Sequence, residues 1–582
     1  MLASLQTRSM GRVISVRGSL ARIGLEAAAA ASDGSINATV GQFFGIRTAK
    51  STLVAMITEV SRENLPAASD HVAVASVDLL GEIGEGPAGR FQRGITGYPS
   101  IGDPVDLLTN QQLRTVYAPV RADQVPIGTL QQDPSVAACI DIEEMLSKHF
   151  AVLGSTGVGK STGVSLLLNE ILKARPNLRV FLLDVHNEYG RCFGDKAVVL
   201  NPRNLKLPFW LFNFEEFVDV IFGGRPGVPE EIEVLVELIP VAKGLYTQYQ
   251  NADRAGLRRL DAKTPAYTAD TPVPYRLVDL ISLIDQRMGK LENRSSRIVY
   301  HRLIMRIETV KNDPRYAFMF ENANVGGDTM ADVISLLFRL PANGRPMTVM
   351  QLAGLPVEVV DSVVSVLCRM AFDFGLWSDG ASPMLFVCEE AHRYASADRT
   401  TGFGPTRKAV SRIAKEGRKY GVYLALITQR PAELDATIIS QCNTLFAMRL
   451  ANERDQELLR SAVSDAAANL LSFVPSLGTR EVLAFGEGVA LPTRLRFKEV
   501  PVHQRPRSES TVATTPSTHN GHDISFVASV VDRWRGATVH RDTPSDPVFE
   551  RLTERPLPEA PMLQPSLGLD PDRFSVLKKP LR

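Results

Sequence analysis

Apolar and polar positions along the chain change rhythm several times. Up to about residue 125 they alternate. The stretches 11–23, 51–60 and 72–83 are short, rich in β-branched residues and separated by Gly and Pro, notably over 94–102. Several short strands at this spacing predict a small β-barrel over 1–125. Residues 126–144 read as a linker into the next domain. From about 145 the pattern becomes strand, loop, helix. The apolar run Phe150-Ala-Val-Leu153 precedes a glycine-rich loop and an apolar helix through Leu172, and Arg179-Val-Phe-Leu-Leu183 is the next strand. Such alternation predicts an α/β sheet. It is interrupted over 205–345, where 230–246 and 298–310 carry helical periodicity and predict a helical insertion. It resumes over 346–500, with strands near 347–351, 384–388, 422–427 and 444–449, so the α/β core comprises 126–204 and 346–500. The Pro, Ser, Thr and Arg of 501–520 read as a flexible linker. A short amphipathic piece at 524–534 and a Pro-rich end complete a C-terminal tail over 501–582. No internal repeat is present.

A length of 582 residues implies about three or four structural units. With 44% hydrophobic and 22% charged residues the composition is that of a soluble globular chain. A net charge of +1 gives no global support for nucleic-acid binding, so a DNA site must come from local clustering. Cys139, Cys192, Cys368, Cys388 and Cys442 form no CxxC pair and are odd in number, which predicts reduced thiols, neither a disulfide framework nor a zinc site. No apolar run reaches about 18 residues, so no transmembrane helix and a cytoplasmic location are expected. Arg8 and Arg12 in an acid-poor N-terminus resemble a transit peptide, but Gly11-Arg-Val-Ile-Ser-Val-Arg-Gly18 alternates like a strand.

The sharpest chemical signal is Gly154-Ser-Thr-Gly-Val-Gly-Lys-Ser161. It matches G-x-x-x-x-G-K-[ST] between a strand and a helix, the context a phosphate-binding loop needs. Its glycines let backbone N–H groups turn inward onto phosphate oxygens, and the helix N-terminus adds positive dipole. Gly154, Ser155, Thr156, Gly157, Val158, Gly159, Lys160, Ser161 and Thr162 are therefore the expected nucleotide-binding residues. Lys160 is expected to reach the β- and γ-phosphates of ATP, and Ser161 to bind Mg²⁺. In Met384-Leu-Phe-Val-Cys-Glu-Glu-Ala-His392 an apolar strand ends in two acids. Glu389 stands where an acid orders Mg²⁺, with Glu in place of the usual Asp, and Glu390 is placed to polarise the attacking water. Leu182-Leu-Asp-Val-His-Asn-Glu188 ends another strand with Asp184 and Glu188, one of which is suited to holding metal or water. Leu426-Ile-Thr-Gln-Arg-Pro431 ends the strand expected beside the acidic one, and Gln429 is suited to sensing the γ-phosphate.

Residues 407–419 are strongly basic. Lys408, Arg412, Lys415 and Lys419 fall at i, i+4, i+7 and i+11, with Arg407 and Arg418 on the neighbouring stripe and Glu416 the single acid. Such a face suits a subunit interface or a phosphate track. Arg418 would then act in trans as an arginine finger. The glycine-rich segment 400–406, with Phe403, is a candidate pore loop or a plain connector.

Taken together, the glycine-rich loop, Asp184-Val-His-Asn-Glu-Tyr189, Glu389-Glu-Ala-His-Arg-Tyr394 and Glu416-Gly-Arg-Lys-Tyr-Gly421 followed by Thr428-Gln-Arg-Pro431 resemble the HerA family, hexameric DNA translocases of the HerA–FtsK class. The resemblance spans about residues 1–500. It implies a RecA-like P-loop core, a homo-hexameric ring with ATP between subunits, and double-stranded DNA in the central channel. It implies that Lys160, Ser161, Asp184, Glu390, Gln429 and Arg418 carry hydrolysis. Lys148 stands where relatives more often place an Arg that reaches the adjacent subunit's nucleotide. The family works with a nuclease, commonly NurA, in DNA end processing, and some bacterial relatives pair with sirtuin-like or nuclease effectors in phage defence. The C-terminal tail matches only as a possible brace on a neighbouring subunit. Two other readings compete: a conjugation- or secretion-type ATPase of the same superfamily, and an ATP-gated scaffold that assembles an effector enzyme without processive pumping.

Overall fold

The computed structural model describes residues 9–26, 38–62, 71–84, 89–119, 121–255, 267–290, 294–320, 327–398, 404–463, 469–507 and 531. The candidate pore loop lies largely outside the described residues, and so do the amphipathic piece at 524–534, apart from residue 531, and the tail beyond it.

Alternation in the N-terminal part produces β1 (Gly11–Arg17), β2 (Leu20–Leu25), β3 (Phe43–Arg47), β4 (Ser51–Ser61), β5 (Ala73–Gly84), β6 (Phe91–Arg93) and β7 (Pro104–Leu107). Their order is β2-β1-β7-β3-β4-β5-β6, and β5 also pairs with β2. Six strands therefore close on themselves while β6 rides on β5, which removes the sheet edges. The two-residue period decides what fills the barrel. On β4, Leu53, Ala55 and Ile57 point into its own core with Val13, Ile23 and Phe44, whereas Val54 and Met56 join the larger core outside. Arg93 Nη1 donates to the Gly486 carbonyl at 3.0 Å, and the Tyr117 hydroxyl meets Thr493 Oγ1 at 2.6 Å, tying this part to the α/β sheet.

The second sheet has eleven strands. They are β8 (Gln124–Leu130), β9 (Ala137–Asp141), β10 (His149–Leu153), β11 (Arg179–Asp184), β12 (Ala197–Leu200), β13 (Met347–Gln351), β14 (Met384–Cys388), β15 (Val422–Thr428), β16 (Cys442–Ala447), β17 (Glu481–Gly486) and β18 (Thr493–Phe497). The order β12-β13-β11-β14-β15-β10-β16 is parallel throughout, and β17-β18-β8-β9 continue it antiparallel. Residues 126–144 are therefore not a linker. They build most of the β8–β9 hairpin at the sheet edge. Its short strands carry too little apolar periodicity to declare themselves, and Pro126 of β8 sits where the register with β9 shifts between Pro126 and Gly128, an irregularity at which a strand proline is tolerated.

Between β12 and β13 come the helices Phe214–Phe222, Pro229–Ala255, Leu277–Gly289, Arg294–Lys311 and Met330–Phe338. The buried carboxylate of Glu216 fastens the first of them to the core helix Val357–Trp377. It accepts from Ser365 Oγ at 2.8 Å and from Arg369 Nε at 3.0–3.1 Å, while Arg369 also donates to the Leu211 carbonyl. Removing either charge would strand the other in a buried site. After β18, residues 501–507 are seated against the core, where linker composition predicts freedom: Ser165 Oγ donates to the Gln504 carbonyl at 2.8 Å, and Arg507 N–H to the Glu188 carbonyl at 3.0 Å.

Candidate nucleotide site

The centre of the sheet runs β11-β14-β15-β10, so the C-terminal ends of these strands open onto one crevice. The glycine-rich loop follows β10 and the helix Lys160–Ala174 follows the loop. The turn requires its glycines. Gly157 and Gly159 have φ of +79° and +94°, and a Cβ on Gly154 would stand 2.8 Å from Met448 Cβ. Ser155 N–H donates to the Arg449 carbonyl at 2.9 Å. Ser161 and Thr162, in the first helical turn, are half-buried, and the Tyr189 ring is fully buried beside Ser161.

Strand β15 stands between the loop strand β10 and the acidic strand β14, the arrangement of RecA-like ATPases, and it carries Gln429 to the site centre. Thr156 Oγ1 donates to Gln429 Oε1 at 2.6 Å, Gln429 Nε2 donates to Glu390 Oε2 at 3.2 Å, and Lys160 Nζ lies 3.6 Å from Glu390 Oε1. Lys160 and Glu390 are both nearly buried, so this pair is little screened by solvent. Glu390 has φ +50° and ψ +44°, the left-handed region that a non-glycine residue enters at a cost. The turn Ala391–Arg393 then brings His392 back, with Nδ1 3.0 Å from Thr428 Oγ1 and 3.4 Å from Glu390 Oε2. An Nδ1–H tautomer donates to Thr428 Oγ1 and keeps the ring beside the Glu390 carboxylate. Residue type and spacing alone assign His392 no task. The signal was its place in Glu-Glu-Ala-His, three residues after Glu389.

Glu389 is 2% exposed, and its Oε2 has no hydrogen-bond partner among the described residues. Burial pushes its carboxyl well above the usual range, and Asp184, Glu188 and Glu390 add to that shift. An orphan buried acceptor among acids has the chemistry of a divalent-cation ligand. Glu389 and Ser161 therefore fit Mg²⁺, and the inward-turned loop fits a polyphosphate.

Asp184 is placed differently from a free ligand. Its two carboxylate oxygens each accept a backbone N–H, from Glu188 and Tyr189, both at 2.9 Å. Burial raises its carboxyl to about 6 despite those bonds. It shapes the turn after β11 and leaves Glu188, half-buried, as the acid of that pair with a free reach.

Lys148 and Arg418 lie at the other end of the same strands. Lys148 precedes β10 and pairs with Glu487 at 3.7 Å; Arg418 lies in the turn Gly417–Tyr420, just before β15. At roughly 3.3 Å per residue, the four steps from His149 to Leu153 already span about 13 Å. Neither cation can reach the phosphate loop of its own chain. The basic face is also narrower than its spacing suggests. The helix ends at Glu416, so Lys419 leaves the stripe; Lys408 pairs with Glu215, and Arg412 with Asp373 at 3.3 Å while stacking on Phe372. Lys415, Arg418 and Lys419 remain exposed.

His149, another residue without a predicted task, holds this end together. Its Nδ1 accepts from Leu424 N–H and its Nε2 donates to the Ala414 carbonyl, both at 2.9 Å. Burial lowers its pKa to about 4, and the nearby Arg418 charge pushes the same way. The unfolded chain, with His near 6.5, takes up the proton first, so stability present above pH 6.5 is lost as pH falls towards 4. The shift corresponds to about 3 kcal/mol. Thermal unfolding of wild type should therefore fall faster than that of His149→Gln across this window; parallel curves would contradict the assignment.

Comparison with known proteins gives the geometry relatives. Residues 125–371 match the family described as the central domain of helicase HerA. The chain is 25% identical over 467 residues to the DNA double-strand break repair helicase HerA of Pyrococcus furiosus, covering 74% of this chain and 77% of that one. It is 26% identical over 412 residues to the protein of the same name from Sulfolobus acidocaldarius, covering 69% and 73%. Among solved structures, VirB4 of Thermoanaerobacter pseudethanolicus is 15% identical with a TM-score of 0.44, covering 66% of this chain and 98% of that one. With its glycine-rich loop, its paired acids and a match to the HerA central domain over 125–371, the chain is similar to the HerA helicases over most of its length.

Proposed function

We propose that the chain is a Mg²⁺-dependent ATPase that assembles as a ring, most simply a homo-hexamer, and translocates along double-stranded DNA. The observation that carries the reading is the contact chain Thr156–Gln429–Glu390–Lys160, which links the phosphate loop to a base and a polar sensor at one crevice. The loop's N–H groups and Lys160 hold the phosphates, while Ser161 and Glu389 hold the metal. A Mg²⁺ held there would neutralise charge on the transferred phosphoryl group. Glu390 accepts the proton of the attacking water, with His392 and Gln429 fixing its carboxylate. Lys148 and Arg418 serve the site of the next subunit. The named activities of the relatives, helicases of double-strand break repair, support DNA as the track. A nuclease of NurA type, or a sirtuin or nuclease effector in phage defence, is the proposed partner. Among the described residues no helix is long and apolar enough to cross a membrane, which favours this reading over a membrane-docked secretion ATPase.

The test is steady-state ATP hydrolysis with and without linear duplex DNA, together with displacement of a third strand from a triplex. Hydrolysis stimulated severalfold by duplex, with displacement, is expected. Hydrolysis indifferent to DNA and no displacement would overturn translocation and favour an ATP-gated scaffold.

A further inference from the structure

The strand order gives the phosphate loop two flanks. On the β15 side stand Gln429, Glu390 and the γ-phosphate machinery. On the β16–β17 side stands Arg480, a residue with no part in that machinery. It occupies the turn leading into β17, and its φ is +66°, a conformation glycine adopts freely and arginine does not. The turn is locked from several directions. Arg480 N–H donates to the Val158 carbonyl of the loop at 3.0 Å, and the Arg480 carbonyl accepts from Phe497 N–H at 3.0 Å. Glu481 Oε2 accepts from Gly478 N–H at 3.0 Å and from Arg494 Nη2 at 2.8 Å.

The side chain of Arg480 runs along the loop rim. A Cβ built on Gly159 would stand 3.5 Å from Arg480 Cγ. Its guanidinium pairs at 3.4 Å with Glu499, whose side chain is 73% exposed. Such a pair is weak and readily exchanged. A strained backbone persists only where its surroundings over-determine it, and such strain clusters at ligand clamps. Here the strain presents a cation on the phosphate loop, with an easily displaced counter-ion.

We propose that Arg480 is a nucleotide-binding residue acting in cis on the α-phosphate, the end of the polyphosphate away from Gln429 and Glu390. The inference rests on the nucleotide site described above. An α-phosphate contact is common to ADP and ATP, so its loss weakens both equally, as uniform binding does. A charge-assisted hydrogen bond of this kind corresponds to about tenfold or more in affinity.

The experiment is equilibrium titration of the full chain with N-methylanthraniloyl ADP and ATP, alongside thermal unfolding without nucleotide. Arg480→Gly should bind both about tenfold or more weakly yet unfold no earlier than wild type, because glycine relieves the left-handed backbone. Arg480→Gln, which keeps a Cβ on the left-handed backbone but replaces the guanidinium with a shorter neutral amide, should lose affinity similarly. Glu499→Gln, which frees the guanidinium, should bind at least as tightly as wild type. Wild-type affinity in both Arg480 variants would overturn the inference, and a loss confined to ATP would overturn the α-phosphate assignment. Wild-type chain that binds neither probe would instead overturn the nucleotide site itself.

Discussion

Arg418→Ala is expected to lower ATP turnover by about 10³–10⁵-fold, the scale of a lost arginine finger, without weakening nucleotide binding in its own subunit. The reason is positional. Arg418 is exposed before β15, near His149 at the start of β10, whereas the phosphate loop follows the far end of β10. A cation so placed can stabilise developing charge only in another copy of the chain, and a ring with one repeated heterologous contact supplies that copy at every site. Lys160→Ala should be equally inactive for a different reason, loss of the phosphate-binding ammonium. Mixing the two inactive proteins should therefore restore part of the hydrolysis, because some interfaces then join an intact loop to an intact finger. No recovery despite demonstrated subunit exchange would argue against trans action. Sedimentation as a monomer with ATP and DNA present would argue against the ring.

Glu390→Gln should retain nucleotide and turn it over about 10²–10⁴-fold more slowly, the usual cost of removing a general base. Its carboxylate accepts from Gln429 at Oε2, with His392 3.4 Å from that oxygen and Lys160 3.6 Å from Oε1, so the amide replacement changes proton affinity more than position. Glu389→Gln should behave differently. Its deficit should be relieved in part by raising Mg²⁺, since Glu389 is the buried acceptor suited to the metal. If Glu389→Gln proved the slower enzyme at saturating Mg²⁺ while Glu390→Gln stayed near wild type, the two roles would be exchanged.

The chemistry of the loop and of the acidic strand was legible in the chain because it depends on local order. A glycine-rich turn between a strand and a helix, and an apolar strand running into Glu389 and Glu390, are each complete within about ten residues. The β-barrel was legible for the same reason, as a two-residue period broken by turns. Features set by long-range pairing were not. The β8–β9 hairpin is defined by its seat against β18, more than 350 residues away in the chain, and its own periodicity is faint. Asp184 has the composition of a ligand, yet each of its oxygens already accepts a backbone N–H of the turn it caps. Lys408 and Arg412 belong to a helical stripe by spacing, but Glu215 and Asp373 arrive from other elements to neutralise them. His149 and Arg480 show the limit most plainly. One is an ordinary residue after a lysine and the other an ordinary arginine in a turn, until the sheet places the first under the Arg418 turn and the second on the rim of the phosphate loop. Local sequence determines which backbone shapes and reactive groups a segment can offer. Which groups remain free to act is decided only when the strands pair and distant polar groups compete for the same hydrogen bonds.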